Sequence, residues 1–271
     1  MTVGALLASV DLRDAAYLLS HVLGRPRAWL IAHDTEEVDD RNRERFLAYC
    51  ARRKSGEPSA YITESAGFYG REFAVNADVL IPRPETEHLV EVVLRELKNR
   101  TGARVLDVGT GSGAIACTLA AELPAASVDA VEVSHAALRV ARKNATALGV
   151  EQRVALVEGD LLEPILGRRY DCVIANLPYV PTAEIEPAPD PVSFEPRLAL
   201  DGGFDGLCLY RRMLAGVSAA LECDGLLVME TAPPIAAAHA QLAASVLPGA
   251  EVTIGFDYAA LERYVKVRPR R

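Results

Sequence analysis

The sequence contains no Cys-x-x-Cys pair. Its five cysteines, Cys50, Cys117, Cys172, Cys208 and Cys223, are odd in number and widely spaced, which argues against both a disulfide framework and a thiolate zinc site. Cys117 and Cys172 lie inside apolar runs and read as small core residues. The histidines His21, His33, His88, His135 and His239 form no pair at metal-ligand spacing, so no metal is expected. A long basic run is missing as well, and the net charge is −8. Proteins that live on phosphate backbones carry a basic face, so nucleic acid is disfavoured as a partner, although a local basic cleft within an acidic whole would escape this test. No apolar stretch reaches membrane-spanning length, so no membrane association is expected. The apolar residues from Val3 to Val10 follow no basic residue and are met at once by Asp11 and Arg13, unlike a signal peptide. A reducing cytoplasm is the expected compartment.

What remains is a 271-residue chain, 50% hydrophobic and 24% charged, long enough for one large domain and a small appendage. The first 62 residues read as helices only. Asp11 is positioned to cap a helix whose apolar stripe is Leu12, Ala16, Leu19 and Leu23, stopped by Gly24 and Pro26. A second helix is predicted over 39–54, with Phe46, Leu47 and Cys50 inward, closed by Gly56 and Pro58. This bundle either covers the main domain or docks a partner, and pattern alone does not separate the two. Residues 63–84 form a joint. Phe68, Tyr69, Phe73 and Val75 around Gly67 and Gly70 predict a hairpin. Pro82 and Pro84 then hold the chain extended in a segment rich in ionic side chains.

From 85 to 271 the pattern changes to alternating strands and helices. Strands are predicted at 104–108, 127–132, 153–157, 171–175 and 225–230, with helices at 113–122, 135–148, 206–222 and 233–246. Such alternation implies a mostly parallel sheet covered on both faces. Residues 250–256 and 262–268 lack helical period and suit an antiparallel pair. No internal repeat is visible.

Three stretches carry chemistry. The first strand runs into Val105-Leu-Asp-Val-Gly-Thr-Gly-Ser-Gly113. Gly109, Gly111 and Gly113, with Thr110 and Ser112 between them, allow a tight turn and close approach of the backbone to a ligand at the start of a helix. The next strand ends at Glu132, where an acid can accept two ribose hydroxyls. The spacing is GxGxG rather than the dinucleotide GxGxxG, and Asp107 precedes it. An acid there suits a cationic ligand better than a pyrophosphate, and S-adenosyl-L-methionine carries an ammonium and a sulfonium. Asp160 could receive an adenine amine or cap a helix. The third stretch is Asn176-Leu-Pro-Tyr179, after the fourth strand, at the sheet edge where ligands bind. The Asn176 oxygen and the Leu177 carbonyl can accept both N–H groups of a substrate NH2. Pro178 keeps Leu177 extended, and Tyr179 offers a flat face to a planar amide or base. An ordinary strand-end turn would use similar residues. Arg83, in the Pro-Arg-Pro joint, is assigned to the substrate side.

These residues match a known family. The chain resembles the HemK/PrmC family of release-factor glutamine methyltransferases through Gly56-Glu-Pro58 with Tyr61, Phe68-Tyr-Gly70, Val79-Leu-Ile-Pro-Arg-Pro-Glu-Thr-Glu87, the glycine stretch, and Phe194-Glu-Pro-Arg-Leu-Ala-Leu-Asp-Gly-Gly203 with Gly206 and Tyr210. The resemblance implies an α/β fold with a seven-stranded, Rossmann-like class I methyltransferase sheet, a small N-terminal helical domain and a hairpin joint. It implies methylation of the glutamine side-chain amide in the Gly-Gly-Gln loop of a class I peptide release factor. Gly109 to Gly113, Glu132, Asp160 and Leu161 would hold the cofactor. Asn176 would touch cofactor and substrate, Leu177, Pro178 and Tyr179 would line the glutamine pocket, and the helical domain of a monomer would dock the release factor.

The sequence departs from the family at several points. Leu177 stands where the family has proline, a form shared with rRNA adenine dimethyltransferases. Glu132 replaces the usual aspartate. Glu230-Thr-Ala-Pro-Pro-Ile235 replaces Glu-Ile-Gly and a following glutamine, and a glycine is missing from Asp257–Arg263. A different protein or a small molecule as substrate, an adenine in nucleic acid, and a cofactor-binding protein without catalysis therefore stand as alternatives.

Overall fold

The computed structural model describes residues 1–186 and 190–269. The described residues fall into two units: Met1–Ser65 with the described part of 186–194, and Ala66–Ile185 with the described part of 195–271.

The first unit is helical. Its helices are α1 (Val3–Ala8), α2 (Ala15–Leu23), α3 (Arg27–Ala32), α4 (Asp40–Lys54) and α5 (Ser59–Thr63). Leu6, Leu18, Leu19, Leu30, Phe46, Cys50 and Ile62 form its core. Helix α4 begins where expected, with the Asp39 carboxylate accepting the Asn42 N–H at 2.9 Å. Two expectations fail. Asp11 caps nothing, because α2 starts at Ala15. Asp14, the residue before α2, uses its carboxylate on Arg53 (2.8 Å) and on Ser59 instead of the helix N–H groups. Leu12 therefore packs on the core from outside the helix. Leu47 is 43% exposed, because Phe46 and Cys50, four apart, already define the inward face and the next residue turns away from it. The Val3–Ala8 helix was not anticipated; Thr2 caps it, accepting the Ala5 N–H at 3.3 Å.

A hairpin of β1 (Ser65–Phe68) and β2 (Arg71–Ala74) opens the second unit, and α6 (Glu87–Leu97) follows the proline joint. Next come β3 (Arg104–Val108), α7 (Ala114–Glu122), β4 (Ser127–Glu132), α8 (His135–Ala147), β5 (Val154–Glu158) and β6 (Tyr170–Ala175). The chain ends with α9 (Cys208–Ala220), β7 (Leu221–Glu230), α10 (Ala236–Val246), β8 (Glu251–Phe256) and β9 (Glu262–Arg268). The seven-stranded sheet has the order β5-β4-β3-β6-β7-β9-β8. It is parallel except for β9, which runs antiparallel to β7 and β8.

Alternate residues of each strand feed opposite cores. Val105, Val128, Cys172, Ile174 and Val228 meet α6 and α7 on one face. Leu106, Val108, Val173, Ala175, Leu227 and Met229 meet α9 and α10 on the other. Cys117 and Cys172 are fully buried, and burial pushes the Cys117 thiol up to about 12. The chain winds outward from β3 through β4 to β5, then crosses to β6 and β7 on β3's other side. Loops leaving β3 and β6 therefore diverge, and a crevice opens at their carboxyl ends. Among the described residues, no helix is long and apolar enough to cross a membrane.

Asn144 of α8 fixes both the hairpin and the glycine loop. Its Oδ1 accepts the Ala74 N–H at 2.7 Å, and its Nδ2 donates to the carbonyls of Ala74 (3.0 Å) and Ser112 (2.8 Å). The side chain is 2% exposed. Asn144→Ala leaves those backbone groups unpaired, and urea unfolding should read a loss of about 3 kcal/mol. Unchanged stability would remove Asn144 from that role.

Candidate functional site

A cavity of about 270 Å³ lies in the crevice. Gly109, Thr110, Gly111 and Ser112 form its floor after β3; Glu132 and Val133 follow from β4, and Asp160 and Leu161 from β5. Asn176, Leu177 and Pro178 close it from β6, and Arg83 and Thr86 reach it from the joint before α6. Glycine backbone and the Asn-Leu-Pro turn thus both line the cavity, and they meet at Gly109 and Leu177.

The glycine loop needs its glycines. Gly109 has φ +75°, and a Cβ there would stand 2.8 Å from Leu177 Cδ2. Gly113 has φ +79° and starts α7, where a Cβ would crowd Ala141 at 3.2 Å. Gly113 does not line the cavity. The N–H groups of Gly109 and Thr110 both donate to the Val131 carbonyl, at 2.8 and 3.0 Å, tying the loop to β4.

Asp107, expected to face a cationic ligand, lies fully buried beneath the loop and away from the cavity. Its Oδ2 accepts the Thr110 hydroxyl at 2.6 Å, while Oδ1 has no hydrogen-bonding partner among the described residues. Burial outweighs Thr110 and pushes this carboxyl up to about 7. Hydrophobic strand residues surround the end of β3, so the acid holds the loop's shape rather than presenting charge.

Glu132 is 9% exposed and lines the cavity. Its Oε2 accepts the Gly111 N–H and its Oε1 the Ser134 N–H, both at 2.9 Å. A carboxylate oxygen accepts more than one bond, so each keeps capacity for a ligand hydroxyl. Asp160 is not a helix cap; its carboxylate pairs with Arg212 at 2.6 Å. Leu161 holds φ +50°, a left-handed conformation that non-glycine residues seldom adopt and that clusters at ligand sites.

The tetrapeptide is bound on every side. Asn176 Nδ2 donates to Thr86 Oγ1 at 3.1 Å. The Leu177 N–H donates to the Tyr210 hydroxyl at 3.1 Å. That hydroxyl gives its own proton to the Glu230 carbonyl at 2.8 Å. A proline at 177 would lose this tie. Tyr179 does not line the cavity; its hydroxyl donates to Glu230 Oε1 at 3.2 Å. Behind it, the Val180 N–H donates to the Leu200 carbonyl at 3.0 Å, and the Gly202 N–H donates to the Val180 carbonyl at 2.8 Å. A Cβ on Gly202 would stand 2.7 Å from Tyr179 Cα.

Four contributors escaped the reading of the sequence. Thr86 donates to Glu230 Oε2 at 2.6 Å. Glu230 is 2% exposed, and burial pushes its carboxyl up to about 7 against the Thr86 and Tyr179 donors. Glu195 pairs with Arg83 and accepts the Ile81 N–H at 3.0 Å, so Arg83 is held in an ion pair at the cavity's edge. Arg212 anchors Asp160. The only signal available was that Thr86, Glu195 and Glu230 fall within the conspicuous stretches; Arg212 lies outside them.

With this geometry in place, comparison with known proteins becomes decisive. The family described as Methyltransferase small domain matches residues 86–188, and the PrmC N-terminal domain matches residues 7–63. The release factor glutamine methyltransferase of Bordetella pertussis is 44% identical over 218 residues, covering 80% of each chain. That of Moorella thermoacetica is 42% identical over 250 residues, covering 92% of this chain and 88% of its own. The chain belongs to the release factor glutamine methyltransferase family. A methyltransferase structure from Pyrococcus furiosus, 16% identical, superposes over 86% of this chain and all of its own with a TM-score of 0.56, which establishes the class I methyltransferase fold. Of the departures from the family, Leu177 is part of the cavity lining and the Thr231–Ile235 stretch is not.

The buried acids give a pH signature. Glu230 and Asp107 hold protons in the folded chain that the unfolded chain releases above its ordinary 4.5 and 3.8. Their contribution to stability is therefore full at low pH and falls as pH rises through about 7. His239, buried with neither ring nitrogen hydrogen-bonded among the described residues and pushed down to about 3 by burial, works in the opposite sense: its contribution is lost as pH falls below 6.5. Two falling terms against one rising term predict that wild-type stability declines from pH 5 to 6.5. In Glu230→Gln one falling term is gone, and urea midpoints should be nearly level over that interval. A slope equal to that of the wild type would mean that Glu230 is ionised throughout.

Proposed function

We propose that this protein transfers a methyl group from S-adenosyl-L-methionine to the side-chain amide nitrogen of a glutamine, in the Gly-Gly-Gln loop of a class I peptide release factor. The observation that carries the reading is the Asn176 carboxamide, tethered through its nitrogen at the end of β6 and facing the cavity beside the glycine loop and Glu132. Family membership supplies the substrate.

The cavity suits the cofactor. At Gly111 an added Cβ would meet nothing within 4 Å, so bare backbone faces open space. Glu132 offers two fixed carboxylate oxygens for the ribose hydroxyls. Val133, Ile115 and Leu161 give apolar walls for a purine, with Asp160 at their edge. Thr110 and Ser112 complete the loop, and Asp107 acts on the site through Thr110. When bound, S-adenosylmethionine supplies an electrophilic methyl group on a sulfonium.

The chain's own residues do the rest by positioning. Amide nitrogen is a poor nucleophile because its lone pair is delocalised into the carbonyl. Acceptance of its two N–H groups by the Asn176 oxygen and the Leu177 carbonyl orients it towards the methyl group and polarises it; as the N–C bond forms and the C–S bond breaks, one of these two protons would be released to water. The Leu177 carbonyl is available, since the Tyr210 proton goes to Glu230 at 2.8 Å and not to Leu177 at 3.4 Å. Pro178 holds this carbonyl in place. Tyr179 stiffens the turn through Glu230, and Arg83 with Glu195 bounds the substrate side. Fixing the reacting groups in this way supplies the main rate enhancement. The helical unit, matched as a PrmC N-terminal domain, is proposed to dock the release factor. An adenine amine is the second reading, favoured only by the Asn-Leu-Pro-Tyr form and disfavoured by the charge of −8.

Two substitutions separate the roles. Glu132→Ala should raise the Kd for S-adenosylmethionine more than tenfold, on the order of 1.5–3 kcal/mol for a charge-assisted pair. Asn176→Ala should keep its fold and lose roughly a hundredfold in turnover of a Gly-Gly-Gln peptide. Calorimetry and mass spectrometry of the peptide read both. A wild-type protein that binds cofactor and methylates an adenine oligonucleotide instead of the peptide would overturn the proposal.

A further inference from the structure

We infer that Thr86 and Glu230 are positioning residues that fix which end of the Asn176 carboxamide faces the cavity, presenting its oxygen and turning its nitrogen away; this rests on the function proposed above. A carboxamide has nearly the same shape after a half-turn about its last bond. Only its hydrogen-bond partners decide whether the site shows an acceptor or a donor. A flipped Asn176 would set an NH2 group against the NH2 of the substrate amide. The site then depends on whatever determines the flip.

The chain of partners determines it. Glu230 is buried at the end of β7, and both of its oxygens receive hydroxyl protons, from Thr86 at 2.6 Å and from Tyr179 at 3.2 Å. Thr86 has one hydroxyl proton, and Glu230 takes it. What Thr86 turns to Asn176 is therefore a lone pair. A lone pair must be met by a donor, and Asn176 meets it with Nδ2 at 3.1 Å. Its Oδ1 is thereby directed away from Thr86, and since Asn176 lines the cavity that oxygen is assigned to the cavity side. The order of donors runs one way, from Asn176 to Thr86 to Glu230. Reversing it would require a protonated Glu230 to donate to Thr86, which its carboxyl can do only below about pH 7, so the order is that of the ionised acid and the test is run above that pH. Around this acid, Tyr210 from α9 donates to the Glu230 carbonyl, and Glu85 and Arg263 act on it with opposite sign. Thr86 is itself 4% exposed at the start of α6, so water does not compete for its hydroxyl.

The arrangement explains why an uncharged hydroxyl sits in the Pro-Arg-Pro-Glu-Thr-Glu joint. The ionic residues of that joint serve other ties: Arg83 to Glu195, and Glu87 to the Tyr69 N–H at 2.8 Å. Threonine serves the Asn176 carboxamide.

The test compares Thr86→Val, which keeps shape and removes the hydroxyl, with Thr86→Ser, which keeps the hydroxyl. On a Gly-Gly-Gln peptide, Thr86→Val should lose at least about tenfold in kcat while its Kd for S-adenosylmethionine stays within about twofold, and Thr86→Ser should stay close to wild type. Wild-type kcat in Thr86→Val, or equal losses in both variants, would overturn the inference. A neutron structure of the full-length protein reads the carboxamide directly and needs no substrate. Deuterium on the atom facing Thr86 supports the inference, and deuterium on the atom facing the cavity contradicts it. Should the wild type fail to methylate the peptide, the proposed function falls, and the neutron map still decides the orientation.

Discussion

A carboxyl group shut away from water has to be met by donors, and Glu230 draws them from segments that are distant in the sequence. Thr86 comes from the joint before α6 and Tyr179 from the turn after β6. Tyr210 of α9 reaches the backbone carbonyl of the same residue. The strand order makes this convergence possible: β6 and β7 are neighbours, so the ends of both strands share one edge of the crevice. An unmet buried acceptor costs more than a typical hydrogen bond gains. The acid therefore forces its donors into fixed places, and the Asn-Leu-Pro-Tyr turn is fixed with them. The glycine loop depends on a similar device, with Asp107 and Asn144 both bonded to it.

The layout divides labour between backbone and side chain. The glycine loop offers bare backbone and Glu132 two acceptor oxygens. The tetrapeptide offers one side-chain oxygen and one carbonyl. Little of this is general acid–base chemistry, and the two carboxyls pushed towards neutrality, Asp107 and Glu230, lie outside the cavity lining. Methyl transfer to an amide asks for alignment more than for a strong base near the nitrogen. The raised acids belong to the scaffold that provides that alignment.

Much of the fold was legible because strand and helix periods are local. The strand at 104–108 and the antiparallel pair at the end lie where alternation put them. The glycine loop was equally legible, since positive φ at three alternate positions leaves few other residues possible. What escaped was long-range or depended on competition between partners. Thr86 and Glu230 are 144 residues apart, and Arg83 and Glu195 are 112 apart; no spacing rule connects them. Asp14, not Asp11, precedes α2, and it serves Arg53 because a tertiary ion pair outbid a local cap. The tie from the Leu177 N–H to Tyr210 spans 33 residues, beyond any local pattern. Asp107 was read as facing a ligand because sequence reveals the strand end but not which side of the loop the side chain takes.

The central claim is that this site methylates a protein glutamine. Its most direct test uses an intact class I release factor, wild-type protein and isotope-labelled S-adenosylmethionine, followed by tandem mass spectrometry of the factor. The account predicts a single labelled methyl group on the side-chain nitrogen of the Gly-Gly-Gln glutamine. Label on another residue, or none under conditions in which the cofactor is bound, would contradict it.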